Sequence, residues 1–318
     1  MPKVSVVIPV YNVEKYIEQC AVSLFEQTLD DIEYIFVDDC TPDNSIDVLK
    51  KVIDRYKERL ELEKKHVIIE RMPQNSGQAA VREHGIKKSS GDYVIHCDSD
   101  DWAETTMYEI LYNKAKQEDA DIVVCDCAVV NSEGGYIGSN PKAIKNFDKD
   151  SIMRIVLTEY RLNQLWCSLV KRTLFGNIMY PKGSQSEDKT YMIQFCYFAN
   201  KLIYVKESLY YYRNSPSSIT NAISTESIIR RYNQTLENSR LILEFCKRQG
   251  IIDKYDKYIK AYKFNVKVLL MYCINDAECQ KLWKLSYPEA NKGVLFNRYI
   301  SLRNKYHYYR CLLHLLFS

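Results

Sequence analysis

The chain begins with an almost unbroken apolar run, VSVVIPV at residues 4–10, in which β-branched side chains dominate. A strand with one face in water would alternate apolar and polar residues, so this run predicts a strand that is buried on both faces. Strands of this kind occur in parallel sheets that helices cover on both sides. The run therefore favours an α/β fold over an all-α or all-β one.

Strands and helices alternate through the first 130 residues. Residue patterning predicts strands at 4–10, 33–39, 67–71, 93–97 and 122–130, and helices at 14–27, from TPDNS to about 60, 78–88 and 104–117. Asp43 or Asn44 is the expected cap of the second helix. Right-handed βαβ crossovers of this type build a mostly parallel sheet.

Polar clusters fall where four of these strands end. YN follows the first strand, DD ends the second, PQNSG follows the third, and DSDD ends the fourth. Ligands of such sheets bind outside the carboxyl ends of the strands, so all four clusters should open onto one edge. This convergence indicates a ligand site more strongly than any single cluster does.

The DSDD cluster holds three carboxylates, Asp98, Asp100 and Asp101, within four positions. Crowded carboxylates at the end of a buried strand are costly unless a positive group lies among them. Oxygen ligands favour Mg²⁺ or Mn²⁺, and alternation along a strand end lets Asp98 and Asp100 point the same way. The alternative is that Asp101 stabilises the N-terminus of the following helix.

The later part of the chain follows a different pattern. EGGYIGSNP predicts a turn-rich insertion or loop, residues 150–174 are expected to be helical, and 201–214 to be rich in strand. Residues 224–279 are helical again. Beyond residue 297, Arg and Lys alternate with aromatic residues and leucines, which suggests peripheral contact with an anionic membrane. Packing on the same domain and a homodimer contact are the alternatives.

Charge and cysteine content exclude some classes of protein. The chain has 44 Lys and Arg against 41 Asp and Glu, a near balance that argues against a nucleic-acid-binding protein. Eleven cysteines without a CxxC pair, and no signal peptide, predict reduced thiols in the cytoplasm. The first strand is followed by no glycine-rich loop, which argues against a Rossmann dehydrogenase and a nucleotidyltransferase.

Several blocks resemble glycosyltransferase family 2, whose members share the GT-A nucleotide-sugar-binding fold. They are VSVVIPVYN, IFVDDCTPDNS, NSGQAAVREHGIKKSSGDYVIHCDSDD, SEDKTYMIQF and LYYYRNSPSSIT. The resemblance implies a GT-A catalytic domain at 1–220, with a nucleotide-sugar-binding half at 1–130 and an acceptor-side half at 131–220. A helical extension at 221–318 would follow.

The resemblance also implies a donor site. The residues that would line it are Pro9, Tyr11, Asp38, Asp39, Asn75, Gly77, Arg82, Asp98 and Arg213. Pro9 and Tyr11 would contact base and ribose, and Asp39 or Asp38 would accept a hydrogen bond from a uracil-type base. Asn75 and Gly77 would turn near the diphosphate, Asp98 would reach the ribose, and Asp100 would hold Mn²⁺ or Mg²⁺. Arg82 could reach a phosphate, orient a carboxylate, or lie on the helix surface.

An inverting sugar transfer needs a general base, and GSQSEDKTYMIQF offers Glu187 and Asp188. By resemblance Asp188 is the base. The alternative is that both acids favour a helix N-terminus, with Ser184 or Ser186 as its cap. His96 and the tyrosines at 210–212 are expected to pack within strands.

The resemblance implies a metal-dependent, inverting hexosyl- or other glycosyltransferase. Its donor would be a nucleotide sugar, a UDP-sugar being favoured, and its acceptor a saccharide or a lipid-linked saccharide in bacterial surface polysaccharide or glycoconjugate synthesis. The expected location is the cytoplasm, including the inner face of the membrane. A non-catalytic nucleotide-sugar-binding or scaffold protein of the same fold is the alternative.

Overall fold

The computed structural model of the protein describes residues 1–214 and 224–317, and the side chains of residues 1–214 and 224–313. The strands are β1 Val4–Val10, β2 Ile32–Asp38, β3 His66–Arg71, β4 Tyr93–His96, β5 Trp102–Ala103, β6 Ile122–Val130, β7 Tyr136–Asn140, β8 Ser168–Lys171 and β9 Leu202–Arg213. The α-helices are α1 Ile17–Phe25, α2 Ser45–Leu62, α3 Gln78–Lys88, α4 Met107–Glu118, α5 Lys149–Thr158, α6 Glu187–Phe198, α7 Thr225–Arg248, α8 Asp256–Lys267, α9 Ala277–Leu285 and α10 Leu302–Phe317. Short 3₁₀ helices lie at Leu165–Cys167, Arg172–Asn177, Val268–Cys273, Pro288–Asn291 and Val294–Phe296.

One sheet contains all of these strands, in the order β3-β2-β1-β4-β8-β6-β9-β5, with β7 paired to β6. The pairs that β1, β2, β3 and β4 form with one another are all parallel, as the alternating pattern predicts. Beyond β4 the pairing is mixed, because β8 inserts antiparallel between β4 and β6. The α/β prediction is confirmed, and the parallel half of the sheet is the half that carries the polar clusters.

The expectation of a helix across residues 150–174 is wrong in its second half. Helix α5 ends at Thr158, and residues Ser168–Lys171 form β8. A short apolar segment such as LWCSLV fits a buried helix and a buried strand equally well, so its pattern does not decide between them. Here the strand is favoured, because Ser168–Lys171 pairs with β4 on one side and with β6 on the other, and these two edges would otherwise stay unpaired. The segment expected to be a loop similarly contains β7, which closes a hairpin with β6.

Two apolar cores cover the two faces of the sheet. Val6 and Ile8 of β1 belong to a core with α1, α2 and α4, whereas Val7 belongs to a core with α5 through α10. Helix α3 lies close against β1 because Gly85 has no Cβ, and a Cβ there would overlap Val7 Cγ1. This close approach carries α3 and its polar side chains to the carboxyl ends of the strands.

The C-terminal helices share a core with the sheet. One continuous cluster of buried side chains runs from Val94 in β4 through Phe245 in α7 to Tyr308 in α10. The boundary expected between residues 220 and 221 lies outside the described residues, as does the end of the LYYYRNSPSSIT block. Within the described residues, no helix is both long enough and apolar enough to cross a membrane.

The cysteines do not all follow the expectation of reduced thiols. Nine are free, and eight of these are buried small apolar groups. Cys273 and Cys279 form a disulfide that closes the turn before α9, with their Cα atoms 6.1 Å apart. The two cysteines are six positions apart in the sequence, so the local turn is what brings their sulfur atoms together.

Candidate active site

The four polar clusters meet at one edge of the sheet. Asp39, at the end of β2, bonds the loop that follows β3: its Oδ1 accepts from Ser76 N at 2.7 Å and its Oδ2 from Gly77 N at 2.9 Å. Gly77 has a positive φ of 81°, and a Cβ at this position would lie 2.8 Å from Ser184 Oγ. Asp39 therefore fixes the shape of the loop that is expected to face the diphosphate.

Asp38 has different partners. Its Oδ1 accepts from Thr41 N at 2.8 Å, and its Oδ2 lies 3.5 Å from Arg71 Nη1. Neither Asp38 nor Asp39 caps α2, because Asn44 occupies the cap position and Asp43 supplies the oxygens there. The contact of either carboxylate with a base stays a prediction.

The rim of the edge is open to solvent. Tyr11 is 48% exposed and follows β1, and Asn75 is exposed in the loop after β3. Pro9 is partly buried in β1 beside Val37 of β2. The contacts of Pro9 and Tyr11 with base and ribose, and of Asn75 with the diphosphate, stay predictions.

Arg82 is the hub of the site. Its side chain extends from α3 and is almost fully buried. Nη2 donates to Asp98 Oδ1 at 2.8 Å, Nη1 donates to Glu187 Oε1 at 2.8 Å, and Nη1 also donates to Asp188 Oδ1. Burial opposes its charge, but these three carboxylates hold the pKa of Arg82 above its ordinary value. A surface position for Arg82 is therefore wrong, and a contact with phosphate stays a prediction.

The two acids that open α6 differ in how far burial raises their pKa. Burial, and then the Asp188 carboxylate, raises the pKa of Glu187 to about 8. Burial raises the pKa of Asp188 to about 6, while the Arg82 guanidinium opposes this rise. Both shifts favour the uncharged acid, and the rise of the pKa is larger for the more deeply buried Glu187. A quarter of the Asp188 side chain stays exposed, against 8% for Glu187, so Asp188 is also the more accessible.

Both acids lie in the first turn of α6, as the capping alternative expects, but neither serine caps the helix through its side chain. Ser186 occupies the cap position of α6 with a positive φ of 61°, and its side chain makes no capping hydrogen bond. Ser184 Oγ instead accepts from Ala79 N in α3 at 3.4 Å. The segment before α6 thus packs on the start of α3, which brings Asp188 toward Arg82.

Asp101 is a structural residue. It is buried, its Oδ1 accepts from Arg213 N at 2.7 Å, and its Oδ2 accepts from Tyr210 Oη at 2.9 Å. Burial and the nearby Asp100 and Asp98 carboxylates raise its pKa well above the ordinary value. The alternative that Asp101 favours the next helix is wrong, because α4 begins at Met107 with Thr106 at its cap. Asp101 holds the end of β9 instead.

Arg213 is held in an aromatic sandwich. Its guanidinium lies 4.8 Å from the Tyr16 ring centre and 4.9 Å from the Trp102 ring centre. Nε donates to the Asp100 carbonyl at 2.8 Å, and Nη2 donates to Gln19 Oε1 at 2.7 Å. These contacts fix the DSDD turn by its main chain, and a contact with the diphosphate stays a prediction.

Asp100 is the carboxylate best suited to a divalent ion. Burial and the Asp98 carboxylate raise its pKa to about 6, and the Arg213 guanidinium bonds its carbonyl rather than its side chain. Residues 1–214 and 224–313 contain no group of three or more Asp, Glu, His or Cys side chains that could hold a metal. Mg²⁺ and its analogues commonly use one or two carboxylates plus substrate phosphates, and Asp100 fits that mode.

Sequence patterning missed the role of Tyr210. As expected, it lies in β9 and its ring is fully buried, but its hydroxyl also accepts from Asp98 N at 3.1 Å and donates to Asp101. Only its position three residues before Arg213 in a strand hinted at this. His96 packs as expected: it is buried near the Tyr191 ring, and burial, then the Arg82 charge, lowers its pKa well below the ordinary value.

Comparisons with known proteins bear on the family and the fold of the chain. Residues 5–181, more than half of the chain, match the family model for glycosyl transferase family 2. The chain is 33% identical over 228 residues to glycosyltransferase GlyA of Streptococcus pneumoniae serotype 4. That match covers 69% of this chain and 31% of GlyA, so the chain spans about a third of this relative's length.

Two solved structures are similar in fold. Staphylococcus aureus TarS residues 1–349 in complex with UDP-GlcNAc aligns with a TM-score of 0.58 and 16% identity, over 92% of each chain. The mannosyltransferase PcManGT of Pyrobaculum calidifontis, in complex with GDP-Man and Mn²⁺, aligns with a TM-score of 0.52 and 14% identity, over 99% of this chain and 87% of that one. These likenesses confirm the GT-A fold with its helical C-terminal region.

Proposed function

The chain belongs to glycosyltransferase family 2, and we propose that it transfers a sugar from a UDP-sugar to a hydroxyl group of a saccharide or lipid-linked acceptor. The transfer inverts the anomeric carbon and serves the synthesis of a bacterial surface polysaccharide or glycoconjugate. The donor part of the proposal draws support from TarS, whose structure holds UDP-GlcNAc. The expected site of action is the cytoplasm, including its boundary with the inner face of the membrane.

The observation that carries the proposal is the junction made by Arg82. Its guanidinium joins Asp98, which ends the fourth parallel strand, to Asp188, which opens α6. Asp98 belongs to the edge where a nucleotide sugar would bind, and Asp188 is the accessible carboxylate of the acid pair. The junction therefore supports a base that faces a donor across one buried cation.

The reaction has one bond-forming and one bond-breaking event. The acceptor oxygen forms a bond to the anomeric carbon, the bond from that carbon to the diphosphate oxygen breaks, and the electron pair leaves with the nucleoside diphosphate. The hydroxyl proton passes to Asp188, which burial makes a stronger base than a free aspartate while leaving it ionised at pH 7. Burial raises the pKa of Glu187 further than that of Asp188, and its side chain is less exposed, so Glu187 is the less available of the two as a base.

A divalent ion, Mn²⁺ or Mg²⁺, is part of the proposal. Asp100 would hold it together with donor phosphates, and when bound it would supply positive charge for the leaving diphosphate. Asp98, which Arg82 already engages, would orient the ribose. The Mn²⁺ in the PcManGT complex supports this choice of ion by analogy of fold.

A calorimetric titration tests the donor site. UDP and GDP are titrated into the full chain with Mn²⁺ and with EDTA, for the wild type, Asp100→Ala, and Asp253→Ala as an exposed control. We expect UDP to bind only with Mn²⁺, and Asp100→Ala alone to abolish binding. Absence of binding by either nucleotide under all conditions would refute the proposal. UDP binding with no turnover on any saccharide or lipid-linked acceptor would favour a non-catalytic binding protein.

A further inference from the structure

The C-terminal helix α10 carries an apolar stripe that faces solvent. Leu302, Tyr306, Tyr309 and Leu313 are between 40% and 83% exposed. Their spacing of four, three and four residues sets them on one side of a helix with 3.6 residues per turn. A stripe of this kind normally packs against the protein's own core, so its exposure calls for another contact.

The opposite side of α10 is the one that packs. Tyr308 and Cys311 are buried, the Tyr308 hydroxyl donates to Asn291 O at 3.3 Å, and Cys311 Sγ lies 3.9 Å from Met271 O. Both residues belong to the large core that also contains the sheet. The helix is therefore docked, and its docking fixes the stripe outward.

The turn before α10 extends the exposed apolar surface. Phe296 is 92% exposed and Leu295 is 55% exposed, and both lie before α10 begins at Leu302. Lys305 Nζ donates to Leu295 O at 2.9 Å, which ties this turn to the first turns of α10. A large aromatic side chain left almost wholly in water adds to the surface that a partner would cover.

The charge of this region has one sign. Residues 290–318 contain five Lys or Arg residues and no Asp or Glu, although the whole chain has a net charge of only +3. At 100° per residue, Arg303 and Arg310 flank one side of the stripe and Lys305 flanks the other. The remaining 289 residues thus have a net charge of −2, so the C-terminal segment accounts for the net positive charge of the chain.

We propose that the surface formed by Leu295, Phe296 and the exposed stripe of α10 docks onto an anionic lipid bilayer, with α10 lying in the interface. Tyrosines and a phenylalanine between cations are the residues that bind at the headgroup level of such membranes. A second copy of the chain fits worse, because each copy would bring cations and no acid to the contact.

This docking rests on the proposed function in one respect: it would hold the chain at the surface where a lipid-linked acceptor is found. Vesicle binding needs no sugar transfer, so the two can fail independently. UDP titration on α10 variants separates them, since these variants leave the donor site untouched.

Vesicle sedimentation of the full chain tests the proposal. Wild type is compared with two variants. One carries Leu302→Ser, Tyr306→Ser, Tyr309→Ser and Leu313→Ser, and the other carries Arg303→Glu and Arg310→Glu. Vesicles of phosphatidylcholine alone are compared with vesicles that contain phosphatidylglycerol. We expect wild type to bind the anionic vesicles at least tenfold more tightly, and both variants to lose that binding. High salt should weaken it, because the cations contribute through screened attraction.

Matched controls change equally exposed residues elsewhere. Leu62→Ser/Leu285→Ser removes apolar surface, and Lys50→Glu/Lys51→Glu makes the same change in charge. Both should bind as wild type does. Equal binding by the α10 variants, equal binding to neutral vesicles, or no binding of the wild type would overturn the proposal. A concentration-dependent dimer that only the Ser variant loses, without vesicle binding, would assign the stripe to a second copy.

Discussion

Arg82 Nη1 lies 2.8 Å from Glu187 Oε1, although 105 residues separate the two along the chain. Arg82 lies in α3, which packs against the parallel half of the sheet, and Glu187 is the first residue of α6. The contact closes a buried cluster of one cation and three acids, in which Asp98 and Asp188 are the other members. The cluster therefore couples the geometry of the donor edge to the geometry of the proposed base.

Replacement of Arg82 by Met should destabilise the protein strongly at pH 7.5. It leaves the cluster of acids without its cation, and loss of one partner of a buried ion pair costs about 3–5 kcal/mol. Denaturant unfolding measures the change. Arg55→Met removes an exposed ion pair to Glu18 and should cost less than about 1 kcal/mol. Similar losses for the two variants would contradict the role assigned to Arg82.

Asp188→Asn and Glu187→Gln should differ sharply in turnover. Asn cannot accept the acceptor proton, so kcat should fall by about 10²- to 10⁴-fold while the donor affinity is retained. Gln keeps the size of Glu187, whose buried position favours the uncharged acid and raises its pKa, and kcat should stay within about tenfold of the wild type. Steady-state kinetics on both variants checks this. A larger loss for Glu187→Gln would exchange the two roles.

The rate should depend on pH through Asp188. The base must be ionised to act, and burial raises its pKa to about 6, so kcat at saturating donor and Mn²⁺ should fall as the pH drops through about 6. Above that value the rate should level off. Parallel measurement of donor affinity at each pH removes any contribution from Asp100. A kcat that stays constant down to pH 5 would contradict Asp188 as the base.

Asp100→Ala should make the metal-free protein more stable at pH 8. The carboxylate has a pKa raised to about 6, so it is charged and unfavourably buried above that pH, and its removal should add up to about 2 kcal/mol. The gain should vanish near pH 4, where the wild-type group is protonated in the folded and increasingly in the unfolded chain. Unfolding in EDTA at both pH values measures this.

Asp101→Ala is the matched comparison and should do the opposite. It strips the Arg213 amide and the Tyr210 hydroxyl of their acceptor, at a cost of about 1–3 kcal/mol for each buried group left unpaired. A stabilised Asp101→Ala protein, or a destabilised Asp100→Ala protein, would show that the roles of these neighbours have been misassigned.

Gly77→Ala should weaken both the fold and donor binding. The backbone conformation of Gly77, with φ 81° and ψ 160°, costs about 1–3 kcal/mol for a residue with a Cβ, and that Cβ would lie 2.8 Å from Ser184 Oγ. Gly138→Ala in β7 meets nothing within 4 Å and has no positive φ, so it should be neutral. Thermal unfolding and UDP titration measure both effects. Equal behaviour of the two variants would mean that the loop after β3 tolerates a shift.

Much of the parallel half of the sheet could be predicted from local patterns. The strand at residues 4–10 and the helix at 78–88 agree with β1 and α3 residue for residue, because an unbroken β-branched run and a helical period are local properties. The meeting of four polar clusters at one edge followed from the parallel pairing alone. Each of these conclusions needs only neighbours in sequence and one rule about how such sheets connect.

The sequence predicted which residues gather at the candidate site better than it predicted what each of them contacts. Asp98, Asp100 and Asp101 look alike in sequence, yet one pairs with Arg82, one has its main chain clamped by Arg213, and one anchors β9. Their differences arise from partners 16 to 113 residues away. A local sequence pattern does not show which distant residues will contact an aspartate, so it could not assign those roles.

The sequence by itself determined the α/β class, the positions of the first four strands, and the edge at which the carboxylates gather. Only the tertiary structure decided that Ser168–Lys171 completes the sheet as β8, that Arg82 is buried between Asp98 and Asp188, and which face of α10 meets solvent. The physical reason is the range of the interactions. Backbone preference and apolar periodicity act over a few residues, whereas strand pairing, charge burial and helix docking depend on what the rest of the chain leaves unpaired.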